Sequence, residues 1–572
     1  MKTCTGGADP QVPAQRAPRR HRRPAAMVVA SAGRGRPAQT RGSAPRCSAV
    51  LLAVALLVPF AALAQPSPPR QAVERAAAAL GGLDRVEKLK NIRLVGYGQY
   101  AYMFGGGNIT GAPDAPMKFE AANALERVYD LENGRYQQLE RRNYLFPFAI
   151  PGGHDFHLND YRLDDDIPYD VLPSGVAQRV YSWFEDAHQI DGVHMRRMWS
   201  IVNPIAAVRV ALDARSKLSE GRAEAGLSVV DVVMKEGDRF NLAIDRTTNL
   251  PAWVRWTNPQ RNLGQVTMTT HYSGYTPHEG WLLPLGYVTY LDWRNIPYLK
   301  IYVDAYVFDG RIPDLAAPAA VRAAPDPAPP ADIKATPIAP GIWRLTSGTT
   351  VFEFADHLTL FELMQSVRPA HATLDFAQKM VPGKRVTELI VSHNHFDHSN
   401  GLRLAVAEGI TVISRRGNEG IFREQIERAA PDYPDALASH PKPMKFVPVE
   451  EHLRLADKVM TVDVYWSRNS THTADSVFAY APAAKVMAEG DMATAAYDYQ
   501  FWPDNYLDAL EYYKLDVAFV SPVHAVWTPD VLPHARVLEL IKGGAERARA
   551  RCAAELAKGN YFPGCPVQSK RY

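Results

Sequence analysis

Cysteine is scarce in this sequence, with only four in 572 residues. Cys4 and Cys47 lie in an N-terminal segment that we expect to be removed, and Cys47 precedes an apolar run rather than following it, which does not indicate a lipid anchor. The other pair, Cys552 and Cys565, predicts either a disulfide within the C-terminal tail at 546–572 or two free thiols. Neither lies near residues 393–398, a histidine-rich motif described below, so we assign the cysteines no catalytic role.

The chain also lacks a strong charge excess and a long apolar run. Its formal net charge is +3, with 47% hydrophobic and 22% charged residues. This balance is typical of a folded globular protein and does not indicate a nucleic-acid partner. The apolar run at 49–63 is too short for a comfortable membrane span and contains Pro59, so a stable membrane anchor is the weaker interpretation.

Residues 1–64 have the pattern of an export signal. A basic lead rich in proline and alanine precedes the apolar run, which ends in Ala62-Leu63-Ala64, a small-x-small cleavage pattern. We therefore predict a cleaved signal peptide and a periplasmic or secreted mature protein. The lead is long for a signal, so Met27 is an alternative start to Met1.

The length predicts two domains or more, and residues 70–310 are mostly β in pattern. A helical segment at 71–80 opens this region, and an amphipathic helix is predicted at 204–219. Alternating segments flank Asn133-Gly134, a strong hairpin signal. We predict a mainly antiparallel β N-terminal domain, followed at 311–340 by a linker rich in proline and alanine.

Two further segments carry a resemblance for this N-terminal domain. Leu80-Gly81-Gly82 precedes the strand pattern at 92–96, and a strand pattern at 240–245 precedes the turn at 247–251. In these features the region resembles the lipoprotein-carrier class of periplasmic β-domains. The resemblance implies a concave sheet that can hold an apolar group. The alternative is a β-platform that only packs on the rest of the protein.

The segment at 341–545 alternates strand and helix, as layered α/β folds do. Directly after the apolar run at 389–391, four polar side chains occur within six residues: His393, His395, Asp397 and His398. The first two alternate and so project from one side of an extended segment. Imidazole and carboxylate are ligands that Zn²⁺ favours. The motif predicts a metal site, the alternative being a histidine-rich surface loop.

Once written as His-x-His-x-Asp-His, the motif is similar to the signature of the metallo-β-lactamase superfamily, over residues 337–545. The resemblance implies an αββα sandwich and three further ligands at strand ends. His472 precedes the strand pattern at 477–480. Asp491 follows the strand pattern at 485–488, and His524 ends the Pro-x-His turn at 522–524.

The resemblance also implies how the ligands divide and what they do. His393, His395 and His472 would bind one divalent metal ion, and Asp397, His398 and His524 a second. Asp491 would bridge the two. Zinc is the expected metal, with iron or manganese as alternatives. A metal-bound hydroxide would attack the substrate, oriented by Asp397 as the catalytic residue. Supporting roles around the ligands are predicted for Ser392, Asn394 and Asp475.

Asp491 narrows the reaction that the resemblance implies. Zinc β-lactamases usually have cysteine or a non-ligand there, whereas thioesterases, lactonases and many phosphodiesterases of the superfamily carry the aspartate. Glu362 stands where many members have an Asp-Thr-Gly turn. Aromatic residues near the last ligands could line an apolar pocket or belong to the core: Tyr497, Tyr499, Phe501, Trp502, Tyr506 and Trp527.

We therefore predict an exported binuclear hydrolase acting on an ester, lactone or thioester of a small, hydrophobic molecule. A β-lactam or phosphodiester hydrolase is one alternative. A non-catalytic periplasmic protein that binds lipid or another hydrophobic ligand is a second. The sequence leaves the oligomeric state open.

Overall fold

The computed structural model describes residues 68–102, 110–145, 156–180, 192–325, 332–364, 370–470, 472–492, 502–524 and 531–557. The predicted signal peptide and Cys565 lie outside these ranges, so export and the disulfide stay predictions. None of the helices in the described ranges combines the length and apolar character needed to span a bilayer.

Thirteen strands form one antiparallel sheet in the N-terminal domain, as the sequence predicts. They are β1 Asn91–Ala101, β2 Phe119–Asp130, β3 Arg135–Tyr144, β4 Phe156–Asp164, β5 Ile167–Val171, β6 Ala177–Arg179, β7 Lys217–Glu220, β8 Leu227–Val233, β9 Arg239–Asp245, β10 Pro251–Gln260, β11 Gly264–His278, β12 Trp281–Leu291 and β13 Ile296–Phe308. The spatial order runs from β6 to β1, then from β13 back to β7. Two meanders are therefore joined by the pairing of β1 with β13.

Helices α1 (Pro68–Leu80), α2 (Leu83–Lys88), α3 (Gly192–Ser200), α4 (Pro204–Leu212) and α5 (Ala319–Arg322) accompany this sheet. Asn203 begins α4, since its side chain accepts hydrogen bonds from the first-turn amides of Ile205 and Ala206. The helix predicted at 204–219 is shorter in the structure. It ends at Leu212 because Asp213 turns to an extended conformation and its carboxylate accepts from the Arg215 amide instead.

The C-terminal domain contains two sheets. The first, in spatial order, is β14 Ala335–Ala339, β15 Ile342–Leu345, β16 Thr350–Glu353, β17 His357–Phe361, β18 Arg385–Ile390, β19 Thr411–Arg415 and β20 Phe446–Val449. The second is β21 His452–Ala456, β22 Thr461–Trp466, β23 Val477–Ala481, β24 Val486–Glu489, β25 Phe519–Pro522 and β26 Leu532–Pro533. β14 takes up part of the segment predicted as a linker, because an edge strand tolerates proline such as Pro337.

The described part of this domain has seven α-helices: α6 Ala370–Met380, α7 Phe396–Ser399, α8 Leu402–Glu408, α9 Glu419–Glu427, α10 Ala436–Ser439, α11 Trp502–Tyr513 and α12 His534–Ala557. Apolar side chains of both sheets meet in one buried cluster, for example Ile390 of the first sheet and Val464 of the second. Helices α6, α8 and α9 pack with the outer face of the first sheet, and α11 and α12 with that of the second. The described residues thus form the αββα sandwich that the sequence predicts.

The two domains share a buried apolar cluster. It extends from the N-terminal sheet, through side chains such as Leu263 and Trp293, to Phe396 and Phe422 of the C-terminal domain. The described residues between 68 and 557 belong to one compact unit. The N-terminal sheet is therefore packed directly against the helices that lie beside the histidine-rich motif.

Candidate metal centre

The structure brings all seven predicted ligands together, in two buried groups. One group consists of His393, His395 and His472, and the other of Asp397, His398, Asp491 and His524. Within each group the candidate ligand atoms lie within 4.8 Å of one another. The seven residues come from four separate segments of the chain, so the fold and not the local sequence creates the cluster.

The histidine-rich motif lies where β18 ends. After Ile390 the chain stays extended, and the short helix α7 then begins at Phe396. The Ser392 hydroxyl contacts Nδ1 of His393 at 2.8 Å, and Nε2 of His393 lies 2.9 Å from Nδ1 of His395. The extended part thus carries His393 and His395 of the first group, while α7 carries Asp397 and His398 of the second.

Asp491 and His524 follow two neighbouring strands of the second sheet. Strands β24 and β25 are parallel, so their carboxyl ends lie at the same edge of the sheet. One carboxylate oxygen of Asp491 is 2.6 Å from Nε2 of His524, and the other is 3.0 Å from Nε2 of His472. Asp491 therefore lies between the two groups and offers one oxygen to each.

Burial and mutual contacts set the protonation of the cluster. Burial lowers the pKa of His393 and of His395 well below the ordinary value, which favours the neutral imidazole that binds metals. Burial acts in the same direction on His398, but Asp397, Asp491 and Glu362 together raise its pKa well above the ordinary value. Three carboxyl groups therefore lie close to the His398 ring: Glu362 at 3.5 Å, and Asp397 and Asp491 at 3.4 Å.

Asp491 is buried among three imidazoles. Burial opposes its ionisation, yet His524, His398 and His472 hold its pKa well below the usual range. A buried carboxylate surrounded by imidazoles is a donor set suited to a divalent cation. Asp397 Oδ1 and both ring nitrogens of His398 are buried and make no side-chain hydrogen bond of normal geometry to any described residue. The residues present therefore fit divalent metal ions.

Glu362 supports the cluster from the end of β17. Its side chain is fully buried, and its backbone has a φ of 67°, a conformation that is uncommon for a non-glycine residue. One carboxylate oxygen accepts a hydrogen bond from the Ser392 amide at 2.7 Å, and the other lies 3.5 Å from Nδ1 of His398. Glu362 thus contacts both the extended part of the motif and a candidate ligand.

The other residues given supporting roles differ from one another. Asn394 accepts a hydrogen bond from Thr473, next to His472, at 3.2 Å. Asp475 instead lies 4.0 Å from Arg415, and burial raises its pKa.

The aromatic residues suggested for an apolar pocket are mostly not described. Tyr506 is a core residue whose hydroxyl contacts Nδ1 of His534 at 2.6 Å. Tyr497, Tyr499, Phe501 and Trp527, and the side chain of Trp502, lie outside the described part of the chain.

The N-terminal domain reaches the cluster, which sequence reasoning did not predict. Asn262, in the turn after β10, donates hydrogen bonds to the Phe396 carbonyl and the Ser399 hydroxyl. Burial lowers the pKa of His395 and of His472, and the charge of Lys118 acts in the same direction. These contacts join residues far apart in sequence, and no motif marks them.

Comparison with known proteins gives one family match. Residues 364–524, which include all seven candidate ligands, match the model of the Metallo-beta-lactamase superfamily. No match to the chain was found among curated proteins. The match agrees with the two-sheet architecture of the C-terminal domain.

Several solved structures are similar to part of the chain. The stereoselective inverting sec-alkylsulfatase Pisa1 from Pseudomonas sp. is 15% identical over 42% of this chain and 46% of that chain, with a TM-score of 0.29. DIM-1 metallo-beta-lactamase exposed to ceftazidime is 12% identical over 38% of this chain and 100% of that chain, with a TM-score of 0.29. A metallo-beta-lactamase from Pontibacter korlensis is 14% identical over 37% of this chain and 98% of that chain, with a TM-score of 0.27. This chain therefore spans less than half the length of the alkylsulfatase.

Proposed function

We propose that the C-terminal domain, a metallo-hydrolase domain of the metallo-β-lactamase superfamily, has a binuclear centre that hydrolyses an ester, lactone or thioester of a small molecule. The position of Asp491 carries this proposal. Its two oxygens face different groups of candidate ligands, at 2.6 Å from His524 and 3.0 Å from His472. A carboxylate in this position suits a ligand shared by two cations.

The donor set favours zinc, with iron or manganese as alternatives. Two divalent cations held by these residues would supply an activated water and polarise the bond to be broken. The first group would hold one cation through three imidazoles: His393, His395 and His472. The second would hold the other through imidazole and carboxylate together, and the donors include no thiolate.

Asp397 has a further part in the reaction. Its buried Oδ1 makes no hydrogen bond to a described side chain, so this oxygen can accept one from the attacking water and orient it. Glu362 beside His398 keeps that ring in place through the 3.5 Å contact with Nδ1. The chain thus supplies both the ligands and the groups that fix their direction.

The choice of ester, lactone or thioester rests on the residue type at position 491. In the resemblance, zinc β-lactamases usually have cysteine or a non-ligand there, and this chain has a buried aspartate whose pKa is held well below the usual range by three histidines. That difference disfavours β-lactams as the substrate. Phosphodiesters are compatible with the aspartate and are therefore included in the test.

A substrate panel with matched variants tests the proposal. Wild type, His395→Ala and Asp491→Ala are assayed for bound metal and for hydrolysis of lactones, thioesters, aryl esters, β-lactams and phosphodiesters. We expect two metal ions per chain and hydrolysis that a chelator abolishes. Each ligand variant should lower kcat/KM by about 1000-fold, which corresponds to about 4 kcal/mol of lost transition-state stabilisation.

His452→Ala is the matched control. His452 belongs to the same domain but pairs with Asp463 at the edge of the second sheet, outside both ligand groups. This variant should keep full metal content and activity. A wild-type protein that binds no metal, or hydrolysis that survives in His395→Ala, would contradict the proposal.

We also propose that the protein is exported. The basic lead, the apolar run and Ala62-Leu63-Ala64 support cleavage before Gln65. N-terminal sequencing of the protein recovered from the periplasm or medium should begin at Gln65. A cytoplasmic product that retains Met1 or Met27 would contradict export.

A further inference from the structure

A buried asparagine of the N-terminal domain is bonded to the helix that carries two candidate ligands. Asn262 lies between β10 and β11, and only 3% of its surface is exposed. Its amide nitrogen donates to the Phe396 carbonyl at 2.8 Å and to the Ser399 hydroxyl at 3.0 Å. Phe396 and Ser399 are the first and last residues of α7, so one side chain contacts both ends of this helix.

Chemistry fixes the direction of the Asn262 amide. A backbone carbonyl only accepts hydrogen bonds, so the group facing Phe396 has to be the amide nitrogen. Gln260 stabilises the turn that contains Asn262, because its side-chain oxygen accepts a hydrogen bond from the Leu263 amide at 2.6 Å. The Asn262 amide that donates to α7 therefore belongs to a hydrogen-bonded turn of the N-terminal domain.

Other contacts hold the same region on both sides. The Trp293 ring lies against the Phe396 ring, with 5.2 Å between centroids. On α9, Gln425 donates to the Ser399 hydroxyl at 3.2 Å, and just beyond the helix Arg428 donates to the Gln265 carbonyl at 2.7 Å. Helix α7 is thus enclosed by the N-terminal domain and by α9.

Helix α7 has little stability of its own. It contains only four residues, and no side chain caps its first turn. Helices this short are not stable without tertiary contacts. Asp397 and His398 lie in the middle of α7, between the two residues that Asn262 contacts. The direction of their side chains therefore depends on what holds the helix.

We infer that Asn262 is a positioning residue of the metal centre, through which the N-terminal domain holds Asp397 and His398 in place to bind the second cation. This inference rests on the proposed binuclear function. It assigns the N-terminal domain a direct role in building the hydrolase site. This role differs from holding an apolar group in a concave sheet and from only packing on the rest of the protein. The first cation depends less on α7, because only His395 of its three ligands adjoins that helix, whereas His393 and His472 lie outside it.

Metal titration of the full chain tests this role. Metal-free wild type, Asn262→Ala and Asn262→Asp are titrated with Co²⁺ while the visible absorption spectrum is recorded. In Asn262→Ala, one equivalent should bind as in wild type and the other at least about 10-fold more weakly, as for other partners that orient metal ligands. Asn262→Asp should weaken that equivalent at least as much, because a carboxylate cannot donate to the Phe396 carbonyl.

Asn203→Ala separates positioning from loss of stability. Asn203 is also a buried asparagine of the N-terminal domain, but its side chain caps α4, where it accepts hydrogen bonds from the Ile205 and Ala206 amides. This control should lower the melting temperature while both Co²⁺ equivalents and the spectrum stay as in wild type. If Asn262→Ala does not fold, Ser399→Ala replaces it in the test, because it removes one of the two acceptors of the Asn262 amide. Ser399→Ala should weaken binding of the same Co²⁺ equivalent by a smaller factor.

Two results would overturn the inference. The first is an Asn262→Ala protein that keeps the wild-type affinity and spectrum for both equivalents, and the second is an Asn203→Ala protein that loses the second equivalent to the same degree. With wild type binding two equivalents, either result leaves the proposed function intact. If wild type itself binds fewer than two, the binuclear function fails first, and the inference with it.

Discussion

At the scale of single residues, Glu362 is the most informative substitution site. Glu362→Gln keeps an acceptor for the Ser392 amide but removes the negative charge 3.5 Å from His398. We expect metal affinity to fall by about 10- to 100-fold, as when other partners of metal ligands are changed. Glu362→Ala should in addition cost about 1–3 kcal/mol of unfolding free energy, because the buried Ser392 amide loses its acceptor.

Metal titration and urea denaturation of both variants check this prediction. Glu388→Gln is a suitable control, since Glu388 accepts from Thr359 on the neighbouring strand and lies outside the ligand groups. If Glu362→Gln binds metal as tightly as wild type, its charge has no role in orienting His398.

The grouping of the candidate ligands could be predicted because each lies near the end of a strand in a recognisable local pattern. His524, for instance, occupies a Pro-x-His turn that is visible in the sequence. For Glu362 the sequence shows only that it stands where many members of the superfamily have an Asp-Thr-Gly turn. Its contact with His398 depends on the pairing of β17 with β18 and is not visible in the sequence. Asn262 had no signal at all, because it lies 134 positions from the carbonyl it contacts.

At the scale of secondary-structure elements, Asp435 begins α10 and connects it to α8. Its carboxylate accepts from the Ala438 amide at 2.8 Å and from two nitrogens of Arg403. Burial opposes ionisation of Asp435, but the Arg403 guanidinium and the Ala438 amide together hold its pKa below the ordinary value. Ionised Asp435 is therefore bonded more favourably in the folded state than in the unfolded state.

The pH dependence of stability follows from this shift. A carboxyl whose pKa is lower in the folded state adds stability above its unfolded pKa, about 3.9, and loses it as the pH falls through the folded value. Asp435→Asn should be less stable than wild type at pH 7, and the difference should shrink towards pH 3. Urea denaturation between pH 3 and 7 measures it. A difference that stays constant with pH would contradict the assignment.

Local signals predicted some elements well and others poorly. Asn133-Gly134 forms the β2–β3 turn as expected, with Gly134 at a φ of 68°, a conformation that glycine adopts freely. The helix predicted at 204–219 was too long, because the apolar pattern continues into β7 while the Asp213 side chain ends the helix. Apolar periodicity alone does not reveal the hydrogen bond from the Arg215 amide to the Asp213 side chain, which competes with continuation of the helix.

At the scale of the whole molecule, the sequence pattern predicted two β-containing domains but not their pairing. The two halves of the N-terminal sheet are joined by the pairing of β1 with β13, the first and last strands of that domain in sequence, and no local pattern encodes this pairing. The αββα sandwich was predictable because the metal motif identified it. The contact between the domains was not, since it depends on surfaces formed only after each has folded.

A salt bridge across the domain contact allows the last prediction. Arg294 donates two hydrogen bonds to Glu424 of α9, at 2.7 and 2.8 Å, and a third to the Gly111 carbonyl at 2.8 Å. The Arg294 side chain is 14% exposed and that of Glu424 33%, so solvent screens this pair less than a surface pair. Paired, two-point contacts of a guanidinium with a carboxylate are stronger and more directional than single ones.

A double-mutant cycle of Arg294→Met and Glu424→Gln should therefore give a coupling energy of about 1–2 kcal/mol in unfolding free energy. The matched control is the Arg423–Glu419 pair on the exposed side of the same helix, with side chains 46% and 26% exposed. For such a pair we expect about 0.3–0.5 kcal/mol. Equal coupling in the two cycles would mean that the Arg294 contact does not join the domains. A larger coupling for Arg294 would show that α9, which contacts Ser399 of α7, is held by the N-terminal domain.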